Sequence, residues 1–295
     1  MNTDSKYILR KFLIDVAVLL ARPFTFSVGM PVLLLYLFGQ PYERGFFCND
    51  ESIMLPFRES TISNAMLLVV GLILPILLII VNEFYSDQST AGHVDQFFVG
   101  RAIPPWVCNS YKVIGVFGFG AASSQLTTDI AKYTIGRLRP HFISVCQPSI
   151  DCTLIENQHK YFESFECTAN IGSPKLKEAR LSFPSGHSSL SAYAMLFLVF
   201  YIQSRITFKG SKLLRHAIQY SCLMFSWFCA LSRISNYWHH WSDVLSGLFI
   251  GGIVAILTVV FVADLLPRGV TEGESRLHKG NAGRENQISK YDAIS

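Results

Sequence analysis

The sequence predicts an all-α membrane protein, six transmembrane helices gathered in one bundle and followed by a polar tail. Composition is the first reason: half of the 295 residues are hydrophobic, only 16% are charged, and the mean hydropathy is +0.33, a balance typical of chains that live in a bilayer. The second reason is a recurrence of apolar runs at 12–38, 63–81, 113–131, 189–202, 217–231 and 244–263. A soluble core can imitate one such run, but hardly six.

The first run contains Asp15, Arg22 and Pro23. It is too long for a cleavable signal and no small-residue pattern closes it, so it reads as a retained anchor. The third carries GVFGFGAASS, small residues that let helix backbones approach one another. The fourth is short unless its polar start is included. The fifth holds Cys222 and Cys229, which read as small packing residues. The transmembrane domain then covers 1–264, and 265–295 is polar, Gly-containing and aperiodic, the pattern of a disordered cytoplasmic end.

An even number of spans puts both termini on one side. Lys6, Arg10 and Lys11, with Arg205, Lys209, Lys212 and Arg215 between runs four and five, mark that side as cytoplasmic. The loops 39–62, 132–187 and 232–243 then face the lumen or the outside. Cys48, Cys146, Cys152 and Cys167 fall in these loops, where an oxidising compartment permits disulfides, although their pairing is not legible from spacing. With 25 basic against 21 acidic residues the net charge is only +4, which gives no sign of a nucleic-acid partner.

Three polar clusters share that outer face. The first is KYTIGRLRP, 132–140. If the helix continues that far, Lys132 and Arg139 stand two turns apart on one face, and two fixed cations can hold a dianion; read alone, the run is equally a basic stop at a membrane surface. The second is FPSGHSS, 183–189. Pro184, Ser185 and Gly186 suggest a tight turn, after which Ser188 and Ser189 open the fourth helix; its free N–H groups suit phosphate, with His187 beside it. In isolation it is also an ordinary Ser-rich N-cap.

The third cluster is SRISNYWHHWSD, 232–243. His239 and Asp243 are four apart, so on a helical face the carboxylate can accept from one imidazole nitrogen and leave the other as nucleophile. Arg233 upstream can fork onto phosphate. The plainer reading is an interfacial belt of Tyr237, Trp238 and Trp241.

One topology brings all three clusters to the same face, and together they describe phosphoryl transfer. Lys132, Arg139 and Arg233 neutralise a phosphate dianion; His239, oriented by Asp243, attacks phosphorus to give a phosphohistidine. His187 protonates the departing alkoxide and then activates water. His240, three from Asp243, is the weaker nucleophile candidate. The neighbouring cations would repel a divalent ion from the His239, His240 and Asp243 group, so no metal and no cofactor is expected. No GxSxG elbow or Walker-type loop is present.

The ordered triple KxxxxxxRP, PSGH and SRxxxxxHxxxD resembles the signature of the type 2 phosphatidate phosphatase superfamily. RGFFCNDESI at 44–53, the stretch 126–142 and HHWSDVLSGL at 239–248 are similar to the animal lipid phosphate phosphatase branch, and the likeness runs nearly to the polar tail. The resemblance implies a six-helix, metal-independent enzyme at the extracellular or luminal face. Its substrates would be phosphatidate, lysophosphatidate, sphingosine 1-phosphate and ceramide 1-phosphate. It implies His239 as nucleophile, Asp243 as its partner, His187 as acid and base, and Lys132, Arg139, Arg233, Ser185 and Gly186 as phosphate binders. Homo-oligomers are common in the family.

One departure is the glycosylation sequon usual between spans three and four: the nearest counterpart here is Asp151-Cys152-Thr153, with Asp in place of Asn. The first span is also longer than the family pattern. The alternatives from the residues are a non-catalytic lipid-phosphate receptor or carrier, which has no need of the histidines, and a phosphatase of polyprenyl diphosphates or sugar phosphates, which the motifs alone allow. The expected protein is a plasma-membrane or internal-membrane monoesterase that turns phosphatidate into diacylglycerol and removes signalling lipids at the outer face.

Overall fold

The computed structural model describes residues 27–88, 96–98, 101–170, 172–206 and 212–263. The first run before residue 27, the basic residues Lys6, Arg10, Lys11 and Lys209, and the tail 265–295 lie outside the described residues. The described residues of the six apolar runs fall on helices: α1 (Ser27–Phe38), α2 (Asn64–Asp87), α3 (Pro105–Ile135), α6 (Gly186–Arg205), α7 (Lys212–Ser235) and α8 (Trp241–Val262). Two short helices, α4 (Phe142–Cys146) and α5 (Ser173–Ala179), lie in the loop between α3 and α6. By length and composition alone, α2 and α8 are long and apolar enough to cross a membrane.

Helix starts follow the local chemistry. Ser63 caps α2, its hydroxyl accepting from the Met66 N–H at 3.2 Å, and Pro105 occupies the first position of α3, where its missing N–H costs nothing. Gly136 ends α3 in the left-handed conformation (φ 57°), which a side chain would disfavour. This overturns one expectation: α3 stops at Ile135, so Lys132 and Arg139 share no helical face, and Arg139 sits in the loop beyond. Similarly, Ser185 is the N-cap of α6 and Ser188 and Ser189 lie within its first turn rather than opening it.

The core is built around α6. Tyr193, Phe197 and Tyr201 are fully buried along it, and Phe117 of α3 stacks on Tyr193 at 5.7 Å. α8 packs so tightly against α6 that a Cβ on Gly251 would lie 2.1 Å from the Ser189 carbonyl oxygen. Small residues permit the same closeness in membrane helix pairs generally. Between α3 and α6 the contact is polar: Ser189 Oγ meets Ser124 Oγ at 2.7 Å and accepts from Thr128 Oγ1 at 3.0 Å. These hydroxyls explain why α3 and α6 read as weak apolar runs in the sequence. The outward sides of α2, α7 and α8 expose Leu77, Trp227, Phe228, Phe249 and Phe261.

At the end of the bundle where α3 finishes and α6 begins, residues 39–62 and 136–182 form a cap. β1 (Phe46–Phe47) pairs antiparallel with β4 (Tyr161–Phe162), and Phe46, Ile53, Leu138, Phe142 and Val145 make a second apolar core. A further strand pair, β2 (Gln96–Phe98) with β3 (Arg101–Ile103), lies between α2 and α3. The four loop cysteines pair as Cys48–Cys152 and Cys146–Cys167, a pairing that their spacing left open. Cys229 is buried as expected of a packing residue, and Cys222 is partly so.

Candidate active site

The cap loops fold the three clusters together by backbone pairing. Arg139 N–H donates to the Ala179 carbonyl (2.9 Å) and Ser182 N–H to the Arg137 carbonyl (3.0 Å), which fastens the segment after α3 beside the approach to α6. Ser185 N–H donates to the Asp243 carbonyl at 3.0 Å, joining the α6 cap to the first turn of α8. After α7, Tyr237 takes a left-handed conformation (φ 59°), and the chain turns back so that the Trp238 and His239 N–H groups both donate to the Arg233 carbonyl. Residues of all three motifs thus meet at one end of the bundle.

His239 is 4% exposed, and it lies ahead of α8 rather than on it. It therefore shares no helical face with Asp243, and the expected orienting bond takes another form. Its Nδ1 lies 2.7 Å from the Ser182 carbonyl and 3.8 Å from Asp243 Oδ2. A carbonyl can only accept, so Nδ1 carries the hydrogen and Nε2 the lone pair. Burial first, then the charges of Arg139 and Lys132, push the His239 pKa down to about 3, with Asp243 opposing.

Asp243 is fully buried and fully bonded. Oδ2 accepts from Ser182 Oγ (2.6 Å), His240 N–H (3.0 Å) and His240 Nδ1 (3.2 Å), while Arg137 donates to Oδ1. His240 is the N-cap of α8 and forms a capping box with Asp243. Ser182 thereby serves two members of the site, its carbonyl holding His239 and its hydroxyl holding Asp243.

The cations have fewer partners. Arg139 (4% exposed) gives Nη2 to Glu178 at 3.3 Å, and Arg233 (1% exposed) gives Nη1 to Ser60 Oγ at 2.7 Å and to the Ile62 carbonyl at 3.1 Å. Burial lowers the Arg139 pKa, against the pull of Glu178. Lys132 Nζ sits 3.8 Å from Asp129, and a Cβ on Gly186 would come within 3.0 Å of that ammonium. Glycine is what lets the lysine reach the start of α6. The charges of Arg233, Lys132 and Arg139 all bear on His187.

Among the described residues, the buried side-chain atoms with no hydrogen-bond partner include Arg139 Nε and Nη1, Arg233 Nε and Nη2, and His187 Nε2, together with His240 Nε2 beside Asp243 and, outside the three motifs, Ser110 Oγ and Arg215 Nε. Buried donors are normally paired, so several orphans at one place mark a site whose partner is a ligand. Their number and sign suit an anion with several oxygens. Among the described residues no three His, Cys, Asp or Glu side chains gather as metal donors.

Of the residues singled out in the sequence, the structure brings His187, His239, Asp243, Lys132, Arg139, Arg233, Ser185 and Gly186 to one end of the bundle. Sequence reasoning missed Arg137, which lies inside the first motif, because the helical spacing pointed past it; Gly136, a common helix terminator, was the available signal. It also missed Ser182, Glu178 and Ser60, which reach the site only through loop folding.

Comparison with known proteins identifies the family. The PAP2 superfamily matches residues 114–266, a stretch that contains all three motifs. A Drosophila melanogaster protein named "Putative phosphatidate phosphatase" is 46% identical over 284 residues, covering 92% of this chain and 73% of its own. Phospholipid phosphatase 1 of Rattus norvegicus is 44% identical over 238 residues (80% of this chain, 81% of its own), and phospholipid phosphatase 2 of Homo sapiens is 40% identical over 239 residues (80% and 79%). No solved structure matches. With more than half of the chain matched and such identity along most of its length, the protein belongs to the PAP2 superfamily.

Proposed function

We propose that this membrane protein is a lipid phosphate phosphatase that hydrolyses phosphate monoesters through a phosphohistidine and without a metal ion. The relatives' names supply the substrate class, phosphatidate above all, with lysophosphatidate, sphingosine 1-phosphate and ceramide 1-phosphate as chemically similar monoesters. The observation that carries the mechanism is the set of buried, unpartnered nitrogens on Arg139, Arg233 and His187. With Lys132 they cradle the dianion while the lone pair of His239 Nε2 attacks phosphorus in line. The ester P–O bond breaks as the P–N bond forms, and His187 gives its proton to the lipid alkoxide. Ser182 keeps the Nδ1 hydrogen and Asp243 the compensating charge. Water then attacks phosphorus, His187 takes its proton, and the P–N bond breaks to release inorganic phosphate.

The six helices span the bilayer, with both termini cytoplasmic and the site extracellular or luminal. Two disulfides in the cap that carries the site support this orientation, since such bonds persist in oxidising compartments. Residence in the plasma membrane and homo-oligomer formation are part of the same reading.

The deciding experiment measures phosphate release from phosphatidate in detergent micelles containing EDTA, for wild type and His239→Ala. Activity in the first and none in the second is expected. Activity only after magnesium is restored would sink the metal-free route.

A further inference from the structure

Trp238 holds no role in the chemistry above, yet its indole touches both arginines of the cradle. The ring centroid lies 4.7 Å from Arg139 Cζ and 5.2 Å from Arg233 Cζ. The two guanidiniums arrive from different elements, the loop after α3 and the end of α7, and they repel each other. A π face attracts a cation while leaving its charge and most of its N–H groups available. A carboxylate would hold the same arginines but would oppose the incoming dianion.

The indole is itself held from outside the three motifs. Its Nε1–H donates to the Arg58 carbonyl at 2.9 Å, and the rings of Phe57 and His141 lie 5.7 and 5.3 Å away. The same segment of the loop before α2 continues to Ser60 and Ile62, the acceptors of Arg233 Nη1. Thr61 and Asn236 pair beside them, with Asn236 Nδ2 donating at 2.9 Å. A strap of residues 57–62 therefore reaches both arginine-bearing elements, Arg233 directly and the loop after α3 through the Phe57–His141 ring contact.

We propose that Trp238, tied to this strap, is a positioning residue that sets the Arg139 and Arg233 guanidiniums at the separation a phosphate dianion requires. The inference rests on the cradle reading of these arginines. It makes the loop before α2 part of the phosphate site, although none of the catalytic groups comes from it. It also assigns Trp238 a role distinct from that of an interfacial aromatic.

The test uses the full chain in detergent micelles and reads vanadate Ki, KM, kcat and melting temperature. Trp238→Leu is expected to raise vanadate Ki and KM about tenfold with little change in melting temperature, whereas Trp238→Phe, which keeps a π face, stays within about threefold of wild type. Ser60→Ala, which frees one Arg233 donor, is expected to raise Ki about threefold. A lower melting temperature with wild-type Ki in Trp238→Leu means a purely structural tryptophan and overturns the proposal. Should Trp238→Leu fail to fold, Ser60→Ala decides, and an unchanged Ki refutes the strap. Arg139→Gln and Arg233→Gln separate the two levels. If both keep wild-type vanadate inhibition, the cradle itself is wrong; if both lose it while Trp238→Leu does not, only the role of Trp238 falls.

Discussion

The two halves of the site differ in how their polar groups are satisfied. On the nucleophile side, Asp243 accepts from Arg137, Ser182 and two groups of His240, and His239 Nδ1 has its carbonyl. On the cation side, Arg139 and Arg233 keep buried nitrogens with no partner. The first half is satisfied by folding except at His240 Nε2, which is buried without a partner, and it stabilises the native state. On the proposed mechanism the second is completed by the substrate, so it is held at some cost to stability and contributes binding instead.

Asp243→Asn attacks the finished half and gives the largest effect. Arg137 loses its counter-charge and the donors of Ser182 and His240 lose a carboxylate, so stability should fall by about 3 kcal/mol and turnover by about 10⁴-fold. Thermal unfolding and phosphate release from the same preparation check both; loss of turnover without loss of stability would break the contrast. Arg233→Gln attacks the unfinished half. Phosphate release should drop about 100-fold, while the melting temperature holds or rises, because a buried and partly unpaired cation next to Arg139 is gone. A marked fall in melting temperature would mean that Arg233 belongs to the scaffold.

Acid sharpens the same contrast. His239 is held at about 3 in the fold against 6.5 when free, so the native state binds fewer protons than the unfolded chain between those values. Its contribution is whole above pH 6.5 and is lost as pH falls toward 3, by at most about 1.4 kcal/mol per unit. His141, lowered to about 4 chiefly by burial, acts in the same direction. Melting temperature followed from pH 7 to 4 should decline, and less steeply in His239→Gln. The smallest effect is Glu178→Gln: the carboxylate is 48% exposed, so stability should shift by about 0.5 kcal/mol or less. KM should fall slightly as one negative charge leaves the cradle, which a saturation curve resolves.

What the sequence made legible was what period and order can carry. Apolar runs located the helices, and three ordered motifs located the residues that the fold brings together. Spacing failed where helices end. Lys132 with Arg139, and His239 with Asp243, suggested helical faces, but Gly136 and the His240 N-cap close those helices first, and backbone pairing in loops does the joining instead. Ser182 and the 57–62 strap carry no periodic signal, because a carbonyl or hydroxyl that reaches across 57 residues from Ser182 to His239 leaves no local trace.

The Cys48–Cys152 bond joins residues 104 apart in the chain. At 5–20 residues per second of synthesis, the second cysteine follows the first by roughly 5–20 s. During that interval α2 and α3 are made while Cys48 has no disulfide partner. The cap is consequently closed late in biogenesis: a ribosome-bound chain that ends before residue 152 holds α2 and α3 but has no Cys48–Cys152 bond, and the second and third motifs are still to be made.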